Sequence, residues 1–284
     1  MTVLTACDRL VSFLRRGKHW IDYQYFLING YKPWSRGYEQ YRWKHIEKSL
    51  AMGNFPDKVG GKRFGYRIDE RIVEYPWFFE RLPDLPGLLF DAGSVLNHAI
   101  LLDHPKLTTK KLFISTLSPE KTAFWHKGIS YIYEDIRKTH LRPGIFDWVV
   151  CLSTLEHVGM DNTYLYTNEA DKNEFTPETA FQFLGVLRAL LKDSGTLYLS
   201  VPYGKYANHG WFRVSNAEML DGLKSHFKPS KYIETIYQYA DDRWQPSSRE
   251  KAKDATCFDI HAQKKNDPDY AAFSRAVACM ELTK

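Results

Sequence analysis

From residue 87 onward, apolar positions fall into two alternating kinds of run. Five short blocks, "GLLFDAG", "KLFIST", "SYIYED", "FDWVVCLS" and "GTLYLSVP", are dense in aliphatic and aromatic residues, and each stops at polar or turn residues. That pattern predicts five strands. Between the fourth and fifth, "TPETAFQFLGVLRALLKDSG" repeats Phe181, Leu184, Leu187, Leu190 and Leu191 at helical spacing, with Thr176 as cap, Pro177 in the first turn and Gly195 at the stop. A helix, "NAEMLDGLKSHF", then a strand, "KYIETIYQYA", and a last strand, "RAVACMEL", follow, the two strands separated by a polar excursion from Asp241 to Ala271. Alternation of this kind predicts an α/β fold with a doubly wound, mostly parallel, seven-stranded sheet, because parallel neighbours need crossover helices. The expected division is an N-terminal helical cap over 1–70 and a sheet domain over 71–284. In such sheets ligands lie beyond the carboxyl ends of the strands, so those ends are where chemistry is sought.

A chain of 284 residues is long enough for one large domain with embellishments. Its hydrophobic fraction of 44% argues against disorder. Charge is unevenly placed: of the net +5, residues 1–66 hold 12 Lys/Arg against 5 Asp/Glu, so the remainder is slightly acidic. The same basic segment carries Trp20, Tyr23, Tyr25, Phe26, Tyr31, Trp34, Tyr38, Tyr41 and Trp43. Basic residues interleaved with aromatics can bind nucleic acid, stack on sugars or meet an anionic lipid surface. They equally describe a helical cap that packs its aromatics inward and shows Lys and Arg to water. Cys7, Cys151, Cys257 and Cys279 are too scattered for a zinc site or a disulfide framework, which fits a reducing cytoplasm. The segment "MTVLTACDRLVSFLRRGKHW" has only short apolar groups between charges, and no later run approaches a membrane span. A soluble cytoplasmic protein is the expectation, with peripheral membrane contact left open.

From about Glu74 to Leu282 the chain resembles class I S-adenosylmethionine-dependent methyltransferases, closest in motif style to small-molecule O-methyltransferases. Four stretches in order carry the likeness: "LLFDAGS" resembles the first strand and glycine turn, "YIYEDIR" the third-strand end, "FDWVVCLSTLEHV" the fourth strand and its Leu-Glu-His-Val continuation, and "LLKDSGTLYLSVP" the approach to and course of the fifth strand. The resemblance implies a Rossmann-like methyltransferase fold over 71–284 and S-adenosylmethionine as cofactor. It implies cofactor contacts at Asp91, Gly93, Ser94, Thr116, Asp135 and Ser153. Asp91 would meet the methionine ammonium, directly or through water, the turn at Gly93 would bring backbone amides near the ligand, and the helix after it would offer free N–H groups to a carboxylate. Ser94 would add a neutral hydrogen bond and Asp135 would meet the adenine amine. Two departures stand out. Val95 and Asn97 replace the second and third glycines, and Thr116 stands where the family ends its second strand with an acid that holds the ribose. Exchanging a charged acceptor for a neutral one lowers binding by about tenfold.

Alignment carries much of a methyl transfer, about 7 to 11 kcal/mol of the barrier, and an alcohol acceptor adds the need to lose a proton. His157, just past the fourth strand, is the candidate base, since a free imidazole near pKa 6.5 suits that task, with Glu156 orienting it or touching substrate. A packing or substrate-contact histidine is the alternative. Glu156, His157 and Asp161 make an incomplete metal set, because Ser153 stands where related enzymes have a further Glu; no metal is expected. In "YGKYANHGWFR", His209, Trp211 and Arg213, with Lys205, are candidates for binding the acceptor, or else form a surface loop with an anchoring Trp. The long polar stretch "GMDNTYLYTNEADKNEF" reads as a lid or specificity insert. In "ERIVEYPWFFERL", Tyr75 and Trp77 either lie over the cofactor or join cap to core. The expected acceptor is a small polar molecule, for which a sugar of polysaccharide or natural-product assembly is suggested by the aromatic cap. The alternatives are a cofactor-free binding or scaffolding protein on the same fold, and a nucleic-acid methyltransferase using the basic cap. Exocyclic base amines are disfavoured because "STLEHV" lacks an Asn/Asp-Pro-Pro-aromatic turn.

Overall fold

The computed structural model describes residues 17–53, 55, 59–163, 165, 173–176 and 178–284. The first sixteen residues, Pro177 and residues 164 and 166–172 of the polar insert therefore lie outside the described residues. Ten strands follow in chain order: β1 Gly87–Ala92, β2 Lys110–Thr116, β3 Ser130–Tyr133, β4 Phe146–Leu152, β5 Leu191–Pro202, β6 Ala207–Asn208, β7 Arg213–Val214, β8 Lys231–Ala240, β9 Arg243–Ser247 and β10 Ala276–Thr283. Eight of them form one sheet in the order β3-β2-β1-β4-β5-β10-β8-β9, and β6 pairs with β7 in a separate ribbon. The first five strands of the large sheet are parallel, while β10 runs antiparallel to both β5 and β8.

The sheet is buried on both faces, which is why its strands read as near-continuous apolar runs. Leu89, Trp148, Val150, Leu152, Tyr198 and Cys279 join one core with the N-terminal helices; Phe90, Val149, Cys151, Leu197, Leu199 and Met280 join the other. Side chains along each strand alternate between these two clusters, as the pleat requires. Helices Thr179–Leu190 and Ala217–Phe227 cover the second face. The first of these takes Glu178 as its N-cap residue with no side-chain bond, so Thr176 contributes its carbonyl to Thr179 and is not the hydroxyl cap expected. Its last residue is Leu190 and β5 begins at once, well before Gly195.

The cap is helical over 17–28 and Tyr38–Ala51, and with helix Arg71–Arg81 it covers the first face. Phe26, Tyr38 and Tyr41 are buried in that core, whereas Trp20, Tyr25 and Trp34 stay exposed. Tyr75 and Trp77 are buried as well, and Tyr75 donates to the Val95 carbonyl, which ties helix Arg71–Arg81 to the turn after β1.

Two features differ from the expectation. The sheet gains an eighth strand, β9, through a two-residue hairpin at Asp241 and Asp242, both with φ above +50°. Positive φ at both central residues marks the type I′ turn whose twist suits a hairpin, and Pro246 is tolerated because β9 is an edge strand. The second difference lies after β1. Instead of one helix facing the ligand with free N–H groups, there are two four-residue helices, Ala99–Leu102 and Pro105–Thr108. Pro105 forces His104 into extended backbone (ψ 132°), which ends the first helix after a single turn. The helix after the turn is thus a single turn long, shorter than the one expected.

Candidate active site

The carboxyl ends of β1 to β4 border a cleft of about 320 Å³, lined by Gly93, Ser115, Thr116, Asp135, Thr154 and His157 among others. It opens at the switch point of the sheet, where β1 has β2 on one side and β4 on the other. Gly93 has φ 123°, and a Cβ there would stand 2.4 Å from Thr154 Oγ1, so no other residue fits. Its amide donates to the Ser115 carbonyl, which holds the turn against β2.

Asp91 does not reach the cleft. It is fully buried, and its two oxygens accept the amides of Val95 (3.1 Å) and Leu96 (2.8 Å), so the carboxylate closes its own loop. Burial pushes its pKa up to about 7, against those two bonds. The two oxygens are thus already engaged by the loop that was expected to bring Asp91 to an ammonium, directly or through water. Around the same turn, the buried hydroxyls of Ser94, Ser115 and Ser118 have no hydrogen-bond partner among the described residues.

At the β3 end, Asp135 accepts from Arg137 three times: the amide (3.0 Å), Nε (2.9 Å) and Nη2 (2.8 Å). Burial works against its charge, but the Arg137 bonds outweigh it and hold the carboxyl below its ordinary range. Arg137 also donates to both Glu174 oxygens, 2.7 Å for Nη1 to Oε2. Glu174 comes from the insert after β4, so that insert is tied across the cleft to the third strand end. Neither Arg137 nor Glu174 was singled out by sequence, although Arg137 stands two residues beyond Asp135, a spacing at which an Asp side chain often meets local backbone.

At the β4 end, Ser153 has φ 39°, and its hydroxyl donates to Glu74 Oε1 at 2.6 Å. The hydroxyl expected to meet the cofactor is thus engaged by helix Arg71–Arg81. Thr154, His157, Gly159 and Asn162 line the cleft beyond it. His157 Nδ1 lies 2.8 Å from the Trp211 carbonyl. A carbonyl only accepts, so Nδ1 carries the proton and Nε2 is left with its lone pair. Burial lowers the His157 pKa to about 4, which makes it a weaker base than the free imidazole assumed from sequence and keeps it neutral. Nε2 stands 3.9 Å from Glu156 Oε1. Glu156 is 1% exposed, and neither of its oxygens has a hydrogen-bond partner among the described residues. Burial drives its pKa up to about 8, so the pair is neutral on both sides near pH 7.

The residues expected to bind the acceptor serve the turn instead of the cleft, whose lining includes none of them. His209 packs its ring on Phe212 (4.3 Å) and sets Nδ1 3.2 Å from Asp259. Trp211 donates Nε1–H to Asp259 at 3.2 Å and offers its carbonyl to His157. Arg213, 5% exposed, reaches the carbonyls of Leu155 (3.4 Å) and Val158 (3.3 Å). The β6–β7 ribbon brings them there, a packing role for which a loop rich in aromatic and polar residues carries no distinct signal. Among the described residues no three His, Cys, Asp or Glu side chains gather as a metal set.

Fold and cleft together define a doubly wound, Rossmann-like α/β protein with a cleft at its switch point. No protein-family model matches the chain, and no curated protein matches it. Solved structures do. 1,6-Didemethyltoxoflavin-N1-methyltransferase of Burkholderia thailandensis, crystallised with 1,6-didemethyltoxoflavin and S-adenosylhomocysteine, is similar over 89% of this chain and 92% of its own, at 14% identity and TM-score 0.42. A SAM-dependent methyltransferase from Archaeoglobus fulgidus is similar over 81% and 98%, at 12% identity and TM-score 0.47. The N-methyltransferase NodS of Bradyrhizobium japonicum, in complex with S-adenosylhomocysteine, is similar over 86% and 98%, at 13% identity and TM-score 0.42.

Proposed function

We propose that this protein is an S-adenosylmethionine-dependent O-methyltransferase for a small polar acceptor, a sugar hydroxyl being the first to try. The observation that carries the reading is the cleft at the switch point, walled by the ends of β1 to β4, three of which the sequence resemblance singles out by motif. Its size falls at the lower end of ligand pockets, about 300 to 1,000 Å³. The unpartnered hydroxyl of Ser115, a residue of the cleft lining, fits a polar ligand, because buried polar groups are rarely left unsatisfied. When bound, S-adenosylmethionine supplies an electrophilic methyl group on a sulfonium sulfur. Gly93 and Ser94 would hold its methionyl end, Thr116 the ribose and Asp135 the adenine amine, the last by sharing a carboxylate that Arg137 already binds. Asp91 contributes through the loop it closes. His157 takes the acceptor's proton at Nε2, and Glu156, behind it, sets the polarity of that nitrogen's surroundings. The described cysteines are buried free thiols, which supports a cytoplasmic setting.

A cofactor-free binding protein is the second reading. It is favoured by the prior engagement of Asp91 and Asp135 and by the packing of Thr154 on Gly93. Calorimetric titration with S-adenosylmethionine and S-adenosylhomocysteine separates the two. The first reading expects heat with at least one; folded protein that gives none at millimolar ligand moves the conclusion to the second.

A further inference from the structure

We infer that Glu74, on helix Arg71–Arg81, is a positioning residue whose buried carboxylate holds the β4-end turn in the shape that meets Gly93. The inference rests on the methyltransferase reading and extends it to a residue outside the cleft. Glu74 is 0% exposed. Its Oε1 accepts from the hydroxyls of Ser153 and Ser200, each at 2.6 Å, and its Oε2 accepts from Arg71 Nη1 at 2.9 Å. The same Arg71 nitrogen donates to the Leu152 carbonyl at 3.0 Å, and Ser200 Oγ accepts the Ser153 amide at 3.0 Å. One carboxylate thus holds the hydroxyl of Ser153 directly, the preceding carbonyl through Arg71, and the Ser153 amide in part through Ser200 Oγ, the Ser200 carbonyl also accepting that amide at 3.1 Å.

That concentration of bonds falls on a strained residue. Ser153 has φ 39°, a region a non-glycine residue keeps only when its surroundings over-determine it. Charge-assisted bonds to a dry carboxylate are strong enough for that. The next residue, Thr154, is the one whose side chain lies over Gly93, and Thr154 and His157 both line the cleft. Released from Glu74, Ser153 is expected to relax toward negative φ and carry Thr154 away from the glycine turn. An ion pair that served stability alone would need Arg71 but not the two serine hydroxyls.

The test compares Kd for S-adenosylhomocysteine by calorimetry in wild type, Glu74→Gln, Glu74→Gln/Ser153→Gly, Ser153→Ala and Ser153→Gly, with folding checked by circular dichroism. Glu74→Gln is expected to weaken binding about tenfold and the added glycine to restore most of it, since glycine adopts positive φ without the tie. Ser153→Ala is expected to bind about tenfold more weakly than Ser153→Gly, both having lost the hydroxyl. If Glu74→Gln does not fold, the Ala/Gly pair at 153 decides. Glu74→Gln binding within twofold of wild type, or equal affinities for the Ala and Gly variants, would overturn the inference. Wild type that binds no S-adenosylhomocysteine would overturn the underlying reading, and this inference with it, before any variant is made.

Discussion

Glu156 offers a test that needs neither cofactor nor acceptor. Its carboxyl is buried with both oxygens unpartnered, and burial, reinforced by Glu74 and opposed by Arg71 and Arg213, raises its pKa from 4.5 to about 8. Folded protein therefore keeps the proton at pH 7, while unfolded chain loses it near 4.5. Between those two values unfolding releases a proton, so this group's contribution is fully present below pH 4.5, falls as pH rises and is gone above about 8. At about 1.4 kcal/mol per pH unit, the part of that window from pH 5 to 8 corresponds to roughly 4 kcal/mol. His157 acts oppositely: its folded pKa is lowered to about 4, so its contribution is present above 6.5 and lost as pH falls toward 4. Glu156→Gln removes the first titration and leaves the second, so the difference between variant and wild type isolates the carboxyl. Urea unfolding followed by circular dichroism at pH 5, 6.5, 7.5 and 8.5 should show the variant gaining on wild type by roughly 4 kcal/mol across the series. A difference that stays flat within about 1 kcal/mol would mean that Glu156 is ionised in the folded protein and that a partner or water meets its oxygens.

Gly93→Ala should cost about 2 kcal/mol or more, from the forbidden φ and the clash with Thr154, and should abolish S-adenosylhomocysteine binding; an unchanged melting curve would refute the close packing. Thr116→Asp should tighten cofactor binding about tenfold if the ribose lies against the β2 end, as calorimetry can check; unchanged or weaker affinity in a folded variant counts against that placement. His157→Gln should leave cofactor affinity near wild type and lower single-turnover methyl transfer by roughly 10² or more, and a near-normal rate would remove His157 from the base role.

The central parallel strands β1, β4 and β5 were legible because burial on both faces writes the same signal into each of them: Phe90, Val149 and Leu197 are apolar for one core, Leu89, Val150 and Tyr198 for the other. β9 was not legible. Its five residues, Arg243 to Ser247, are mostly polar with a proline, and its turn is Asp-Asp rather than a glycine pair, yet Trp244 is wholly buried and donates to the Ile68 carbonyl. One anchoring side chain, not a pattern, recruits that strand. The broken helix after β1 could be read from Pro105, whose effect on His104 is local. The expectation of a continuous helix came from the resemblance and overrode that residue.

For the site, residue types at the strand ends placed the cleft correctly, but they did not reveal which groups were already spent. Asp91 is satisfied by amides four and five residues on, and Asp135 by a side chain two residues on, so both engagements are local. A sequence shows the carboxylates and the donors alike, but only the turn geometry brings them together, and Gly93 and Ser94 at φ 123° and 63° supply it. Ser153 is a different case. Its partner Glu74 lies 79 residues earlier, and the other serine on that carboxylate lies 126 residues beyond Glu74. No periodicity links them, because the three meet only after helix Arg71–Arg81 docks across the ends of β4 and β5. The most closely held backbone in the site is therefore also the part least accessible to a reading of spacing. A variant at Glu74, which motif comparison at the strand ends would pass over, probes the site more sharply than one at Asp91, whose carboxylate answers only to its own loop.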